Sequence, residues 1–432
     1  MYSEKFSKFN SVINELNNKN YNLALELLSK INAEKEEEYL KDNLYASIFF
    51  KKREWSKSVE YYYKVLQKRE NEISSLNNIG VALFNLGKFN ESINYFEKFK
   101  SLAPKKADAY RNLGISYKNI GNYEKAISNY LKALDIEGDN NTIKQFLIET
   151  FNFYIPLDTK KNKILMANEE ILSINKKLEF NDLNNLDLIK KFINKNFKII
   201  DEINIDYKET QLFRRNKTDL NCSRHFKVFN EFKVIPKFCF NCYKIQIDLN
   251  NVVDLIKIFL IFNNTFLKRN NIRKCIVETR KNTNGNYKGY IFCENLEEAK
   301  DVFNLISKRL EDIKLKYKKI KIKHGCTEFY DEYPEYEDIN YEGNQIFNYK
   351  EEWKKKEDAF EMRFPKINKI DKKIVGPTHN QINLSDILII KNWLSYANLI
   401  GDKSFLKIYD KKLKQNYLDK DLKDQIFFRK QG

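Results

Sequence analysis

From Met1 to about Thr150 the apolar positions recur three or four apart, the spacing that lays one stripe along an α-helix. Small residues interrupt the stripe at regular intervals, so the helices pack closely and in a repeating way. After Pro156 a polar stretch to about Lys163 reads as a linker. Residues 164–200 then return to helical spacing in two blocks, Ile171, Ile174 and Leu178, then Leu186, Leu188, Ile189, Phe192 and Phe197. Beyond residue 243 the period changes. Tyr243–Leu249, Arg273–Lys281, Tyr287–Cys293 and Lys319–His324 read as strands, and Val252–Phe266 and Leu296–Leu310 as helices between them. Asn284-Gly285 is a hairpin signal between the second and third strands. Leu384–Ile400 closes the pattern as an amphipathic helix, with Ser385 or Asp386 able to cap its start and Gly401 its end.

The helical first third is an internal repeat whose period is the interval from Gly80 to Gly114. The same interval separates Ile79/Leu113, Leu83/Tyr117, Gly87/Gly121, Phe89/Tyr123, Ser92/Ala126, Phe96/Tyr130 and Phe99/Ala133. One period earlier lie Ala46, Phe49, Trp55, Ser58, Tyr62 and Val65, and a further step reaches Tyr21, Ala24, Leu28 and Ile31. Each unit reads as two antiparallel helices, with small residues at the closest approach and large ones filling the space between units. One unit cannot bury its apolar face alone, so about three must stack. The pattern resembles the tetratricopeptide-repeat family over residues 5–140. Thr142–Tyr154 continues the helical period without the small residues and resembles the capping helix of such stacks.

The resemblance implies a peptide-binding concave face lined by the first helix of each unit. The residues expected there are Asn77, Asn78, Phe84, Asn85, Arg111, Asn112, Lys118 and Asn119. Asn78 and Asn112 hold equivalent places and resemble the asparagine ladder with which some family members grip an extended backbone. The basic clamp used for chaperone C-termini is largely missing. In an asparagine-rich chain the same residues also read as ordinary polar groove lining.

The later elements run β-α-β-β-α-β, the order of a ferredoxin-like split unit. RNA-recognition modules share that order, but Lys288-Gly-Tyr-Ile-Phe292 on the third strand lacks the rest of their signature, and Tyr290 and Phe292 read as core.

Charge changes the picture of this region. Formal net charge is +17, yet residues 1–150 carry 23 Lys+Arg against 20 Asp+Glu, a surplus of three. Residues 211–325 carry 25 against 11, a surplus of fourteen, and hold seven of the twelve arginines. Arg214, Arg215, Arg224, Lys227, Lys233 and Lys237 alternate with Phe226, Phe229, Phe232, Phe238 and Phe240, a mixture that can neutralise phosphates and stack bases. A rival partner lies next to it. Residues 327–342 contain seven acids, four tyrosines and no lysine or arginine, and can cover the basic face internally.

Cys222-Ser-Arg-His225 and Cys239-Phe-Asn-Cys242 form two x2 pairs, enough for the four corners of a tetrahedral zinc site. Such a closed site is structural, because it leaves no coordination position for water. A redox CxxC pair, buried core cysteines and accidental spacing are the competing readings. Catalytic signatures are missing: no phosphate-cradling glycine loop, no nucleophile elbow and no pair of histidines at metalloprotease spacing. His324-Gly-Cys326 offers an imidazole and a thiol at a strand end without an orienting carboxylate, and His379 reads as a loop residue.

No apolar run reaches the roughly 20 residues that span a bilayer, no secretory leader is visible, and sparse cysteines fit a reducing compartment. The expected protein is cytoplasmic and multidomain. It comprises an all-α repeat solenoid with cap (1–155), a helical linker region (156–210), a zinc-stabilised basic α+β domain (211–326), and an acidic tyrosine-rich segment with a C-terminal helix (327–432). The expected function is a scaffold or adaptor. Its repeats dock a polypeptide, and its basic domain contacts an anionic partner, RNA being the candidate. The alternative is an enzyme or modification factor that recruits a peptide through its repeats; a purely structural assembly protein is the third.

Overall fold

A computed structural model describes residues 7–156, 162–176, 182–203, 205–214, 222–280, 283–342, 345–363, 381–411 and 413. The chain divides into two compact units, with the boundary between Thr150 and Phe151.

The first unit is a series of helical hairpins: α1 (Asn10–Asn17) with α2 (Tyr21–Lys30), α3 (Glu38–Lys51) with α4 (Trp55–Lys68), α5 (Ile73–Asn85) with α6 (Phe89–Leu102), and α7 (Ala107–Asn119) with α8 (Tyr123–Glu137). Helix α9 (Asn141–Thr150) packs on α8 and ends the stack. The repeat operates through one contact. A Cβ placed on Gly80 would lie 2.6 Å from the Phe96 ring, and one on Gly114 would collide still harder with Tyr130. The missing side chain lets a ring from the second helix lie flat against the first. Ala46 and Tyr62 hold the same places one unit earlier, and all these residues are buried.

The turn between paired helices carries the period too. Lys19, Arg53, Gly87 and Gly121 all adopt left-handed backbone, with φ of 66°, 60°, 78° and 82°. One repeat period separates each from the next, so the first hairpin obeys the same geometry although its side chains diverge. Glycine takes this conformation without steric cost, whereas a side chain there costs roughly 1–2 kcal/mol. The acidic run before α3 folds back on itself: Glu37 is buried, accepts the Glu34 N–H at 2.9 Å and pairs with Lys8.

The second unit begins with two helices, α10 (Lys163–Lys176) and α11 (Leu186–Ile203), joined in their interface by paired amides of Asn175 and Asn196 at 3.0 and 3.1 Å. Strand β1 (Gln211–Arg214) and helix α12 (Cys222–Phe232) follow. Next come β2 (Tyr243–Leu249), α13 (Val252–Asn264), β3 (Arg273–Val277), β4 (Tyr287–Cys293), α14 (Leu296–Asp312) and β5 (Tyr317–His324). The strands pair antiparallel in the order β1-β3-β4-β2-β5, so β1 is an edge strand that the sequence pattern did not announce. The hairpin between β3 and β4 is wider than Asn284-Gly285 suggests. Strand β3 stops at Val277, and beyond it Glu278 N–H donates to Asn286 O at 2.7 Å.

Helices α13 and α14 cover one face of the sheet. Gly289 of β4 faces α13: a Cβ there would press on Ile258 and Phe262. Cys275, Gly289, Ile247 and Ile320 are opposite one another across four strands and form one row of that face. Side chains alternate along a strand, so Lys244, Lys274, Lys288, Tyr290 and Lys323 belong to the other face.

Helix α15 (Lys354–Arg363) follows, and then α16 (Leu384–Ile400). Helix α16 is not amphipathic. Ile387, Leu388, Ile389, Ile390, Trp393, Leu394 and Tyr396 are all buried, since it packs at once on α10, α11, α13 and β1. Its N-cap is Asn383, which exchanges bonds with Asp386 in a capping box, so Ser385 is not the cap. Gly401 ends it at φ 81° as expected. The Asp386 carboxylate also accepts both terminal nitrogens of Arg214 at 2.8 and 2.9 Å, and Arg214 Nε donates to Asn263 Oδ1 at 2.8 Å. His379 lies outside the described residues.

Two substitutions test these contacts. Alanine for a helix-interior glycine ordinarily stabilises by up to about 1 kcal/mol. Gly114→Ala should instead lower stability by about 1–3 kcal/mol, because Tyr130 must move. Asp386→Ala should cost about 3–5 kcal/mol by leaving Arg214 buried without its counter-charge. Denaturant unfolding of the full chain measures both, the first in the helical transition and the second in that of the sheet-containing unit.

Candidate functional site

Three places carry the residues that sequence reasoning singled out. The first is the face formed by the leading helix of each repeat. Asn112 Nδ2 of α7 donates to Asn77 Oδ1 of α5 at 2.9 Å, Asn77 Nδ2 to Asn78 Oδ1 at 3.3 Å, and Asn78 Nδ2 to the Tyr62 hydroxyl of α4 at 2.9 Å. The amides therefore form a continuous chain across successive repeats. Asn112 meets Asn77 and not its periodic equivalent Asn78. Arg111 pairs with Asp108 at 2.6 Å, Lys118 reaches Glu149 of α9 at 2.7 Å, and Asn119 and Asn85 bond carbonyls one turn back in their own helices. Of the eight residues expected on this face, Asn85 is exposed and the other seven are half-buried.

The second place is a corner where sulfur atoms gather. Cys222 opens α12, and Cys239 and Cys242 lie on a 3-10 turn (Lys237–Asn241) and its exit, with Cys239 N–H donating to Pro236 O at 2.9 Å and Cys242 N–H to Cys239 O at 3.2 Å. A residue the x2 spacing did not include arrives here from the end of β5. Gly325 N–H donates to Cys242 O at 2.8 Å, and a Cβ on Gly325 would sit 2.5 Å from Cys242 Sγ. That close approach brings Cys326 into the packed cluster that holds Cys239. The neighbouring Cys326 thiol raises the Cys239 pKa, with burial adding to it. Cys239 lowers that of Cys326, against burial and with help from Lys244 and Lys274. Burial pushes the Cys242 thiol up to about 12, and the Cys326 and Cys222 sulfurs add to the shift.

His225 is elsewhere engaged, its ring stacked on Phe238 at 5.1 Å. His324 is buried between Tyr243 and Tyr336, with ring centroids at 4.7 and 4.4 Å, so it forms no thiolate–imidazole pair. Burial lowers its pKa to about 4, and it is neutral near pH 7. Among the described residues, no three histidine, cysteine, aspartate or glutamate side chains already stand as a set able to hold a metal ion.

The third place is the sheet face opposite α13 and α14. The acidic tyrosine-rich segment supplies it with counter-charge. Glu337 accepts from Lys321 at 2.9 Å and Lys323 at 3.0 Å, Tyr330 donates to His324 O at 3.2 Å, and the Lys323 amine lies 4.8 Å from the Tyr330 ring. Glu278 binds Arg280 at 2.8 Å and Lys288 at 3.5 Å. Burial opposes the charge on Glu278, but Arg280 and Lys288 outweigh it and hold the carboxyl at about 2. Glu337 likewise reaches about 2 once the bonds from Lys321 and Lys323 overcome its burial.

Of the six residues proposed to meet phosphates, Arg214 and Arg224 are engaged within the fold, while Lys227, Lys233 and Lys237 are exposed. Arg214 is buried on Asp386 and is a structural cation. Arg224 pairs with Glu361 at 2.6 Å, and Lys237 with Glu351 at 3.5 Å. Lys233 is exposed but lies 5.3 Å from the Phe229 ring, Lys227 is exposed, and Arg215 is outside the described residues. Of the interleaved aromatics, Phe229 is buried, Phe226, Phe232 and Phe240 pack against the same cluster, and Phe238 is exposed. Phe226 and Phe229 meet Phe329, and Phe240 meets Tyr336, Phe347, Tyr349 and Trp353. A period-based reading missed this cluster because half of it comes from residues 329–360.

Residues 71–137, which span α5 to α8, match the family model for the tetratricopeptide repeat. No curated protein matches the chain. Among solved structures, a fragment of MamA from Desulfovibrio magneticus RS-1 is 21% identical, with a TM-score of 0.32 over 34% of this chain and 83% of that one. A pilF protein of Pseudomonas aeruginosa is 14% identical, with a TM-score of 0.33 over 53% and 92%. The Naa15/Naa10 complex bound to HypK-THB is 11% identical, with a TM-score of 0.26 over 91% and 54%. Likenesses of this size carry no functional information. Residues 71–137 are tetratricopeptide repeats, and the hairpins α1–α2 and α3–α4 precede them with the same period in their turns.

The depressed carboxyls give the sheet a definite pH response. Unfolded glutamate titrates near 4.3 and these two near 2, so their stabilising effect is complete above the unfolded value. It is lost as pH falls from about 4.5 to about 2. Glu278→Gln should lower stability at pH 7 and flatten the loss across that window, as read by thermal unfolding at a series of pH values.

Proposed function

We propose that this chain is an adaptor whose repeats dock an extended polypeptide on the leading-helix face. The observation that carries the reading is the amide chain from Asn112 through Asn77 and Asn78 to Tyr62. It keeps a row of side-chain amides in fixed orientation across two repeats. Each amide has a second N–H and further acceptor capacity, the groups an extended backbone requires. Stacked repeats generate long binding surfaces because each unit contacts only its neighbours.

The second unit, in this reading, is a ferredoxin-like domain stiffened by zinc at the sulfur corner. Its strand order β3-β4-β2-β5 and its β-α-β-β-α-β connectivity support the fold assignment. The basic surplus that suggested RNA supports that partner less than it did, because Arg214, Arg224, Lys237, Lys321 and Lys323 have internal carboxylates. Protein docking is therefore the function carried forward.

Photo-crosslinking residues placed singly at Asn85 and Asn119 should trap a polypeptide in native cells, and ones at the exposed positions Asn94 and Ser128 of the second helices should not. Equal trapping at both sets would remove the groove assignment. Asn78→Ala with Asn112→Ala should lower the yield at Asn85 several-fold while the unfolding midpoint moves little.

A further inference from the structure

The geometry points to a four-thiolate zinc site formed by Cys222, Cys239, Cys242 and Cys326, with Cys326 in the place that sequence spacing gives to His225. This rests on the metal part of the function proposed above and names its ligands.

Three observations lead there. The Cys239-x2-Cys242 turn and the Gly325-Cys326 step are locked edge to edge by the Gly325 N–H bond to Cys242 O at 2.8 Å. Only glycine fits at 325, because a Cβ would meet Cys242 Sγ at 2.5 Å. Cys242 Sγ is thereby held one residue from Cys326, which itself packs in the cluster that holds Cys239. The His225 ring, by contrast, is stacked on Phe238.

Charge supplies the second argument. Four cysteine thiols binding Zn2+ release four protons and leave a centre of net charge −2. Lys244 is 5% exposed, and its amine is bonded to Gly325 O at 2.7 Å and lies 5.0 Å from the Tyr290 ring. No carboxylate pairs with it among the described residues, and the same holds for Lys274, whose amine is over Phe213 at 5.1 Å. Both buried amines feel the Glu328 carboxylate without bonding to it, and charging them costs free energy that a net anionic centre beside them offsets. A tetrathiolate zinc centre has the matching charge.

Cys239, Cys242 and Cys326 are neighbours, and metal binding would draw in Cys222, on the first turn of α12, as the fourth ligand. The site then pins that helix and the β5 exit to the start of β2, although α13, β3, β4 and α14 all intervene in sequence between β2 and β5.

The test uses the full chain, purified under reducing conditions and analysed for bound zinc per protein. One zinc is expected in the unaltered protein and in His225→Ala, and less than a tenth of that in Cys326→Ser. Cobalt substitution should give thiolate-to-cobalt absorption of equal intensity in the unaltered protein and in His225→Ala. Alkylation mapping needs no variant: adding zinc to metal-stripped protein should slow labelling of Cys222, Cys239, Cys242 and Cys326 at least tenfold. Zinc retained by Cys326→Ser but lost from His225→Ala would overturn the ligand assignment and leave the metal reading standing. Cys326 labelling at one rate with and without zinc would overturn it too. An unaltered protein without zinc would overturn the metal reading itself.

Discussion

The sheet-containing unit depends on a buried ion pair. Arg214 at the end of an edge strand and Asp386 at the start of a late helix are 172 residues apart in sequence and meet in bidentate contact with almost no solvent. Two charges out of water are tolerated only when every donor and lone pair is engaged. Here Asn263, Gln381 O and the Asn383 N–H complete the set. Because Asp386 also closes the capping box of α16, one carboxylate fixes where that helix begins and which strand it packs on. The helix then buries Trp393, whose indole N–H bonds Thr210 O at 2.8 Å, and Tyr396, whose hydroxyl bonds Glu278 O at 3.1 Å. A helix that comes late in the chain is thus the partner of β1, α10, α11 and α13 together.

Once α16 and β1 hold one side of the sheet, the polar face on the other side has to be solved separately. Lysines on this face are covered by neighbouring segments, and for Lys288, Lys321 and Lys323 the chain supplies counter-charge from its own acidic side chains. Glu337 serves Lys321 and Lys323, and Glu278 serves Arg280 and Lys288. The acidic tyrosine-rich stretch that holds Glu337 also contributes Phe329 and Tyr336 to a second hydrophobic cluster with Val228, Phe229, Val234 and Ile235. Aromatic contact and charge neutralisation therefore act through the same stretch, and the basic surplus is a structural requirement of the face before it is a surface for anything else.

The repeat unit rests on a different physics, local and periodic. Each hairpin needs one left-handed turn residue, and the later ones place a small residue under a ring, with nothing required from a distant part of the chain. Its amide chain arises from the same regularity, since neighbouring positions on successive leading helices come within hydrogen-bond reach. A surface made this way can be read from one unit and extended to the next.

That difference separates what was legible in the sequence from what was not. The repeat, its period, the Gly80 and Gly114 contacts and the strands β2 and β4 were legible, because helical stripes, glycine under aromatic and strict alternation are properties of a few consecutive residues. The polar character of Asn77, Asn78 and Asn112 was legible too, but not their register, which depends on how one helix lies against the next. Strand β1 was too short to show a period. Helix α16 read as amphipathic because its polar positions, Ser385, Asp386 and Asn392, look like a solvent face until their buried partners are known. The x2 spacing found Cys239 and Cys242 and proposed His225, yet nothing local ties Cys326 to them: only the pairing of β5 with β2 carries it across. Sequence by itself determined the elements whose stabilising contacts are near in the chain. The tertiary structure decided every pairing of charge, ring and sulfur whose partners are far apart, because a one-dimensional pattern records a residue's chemistry and not what it will meet.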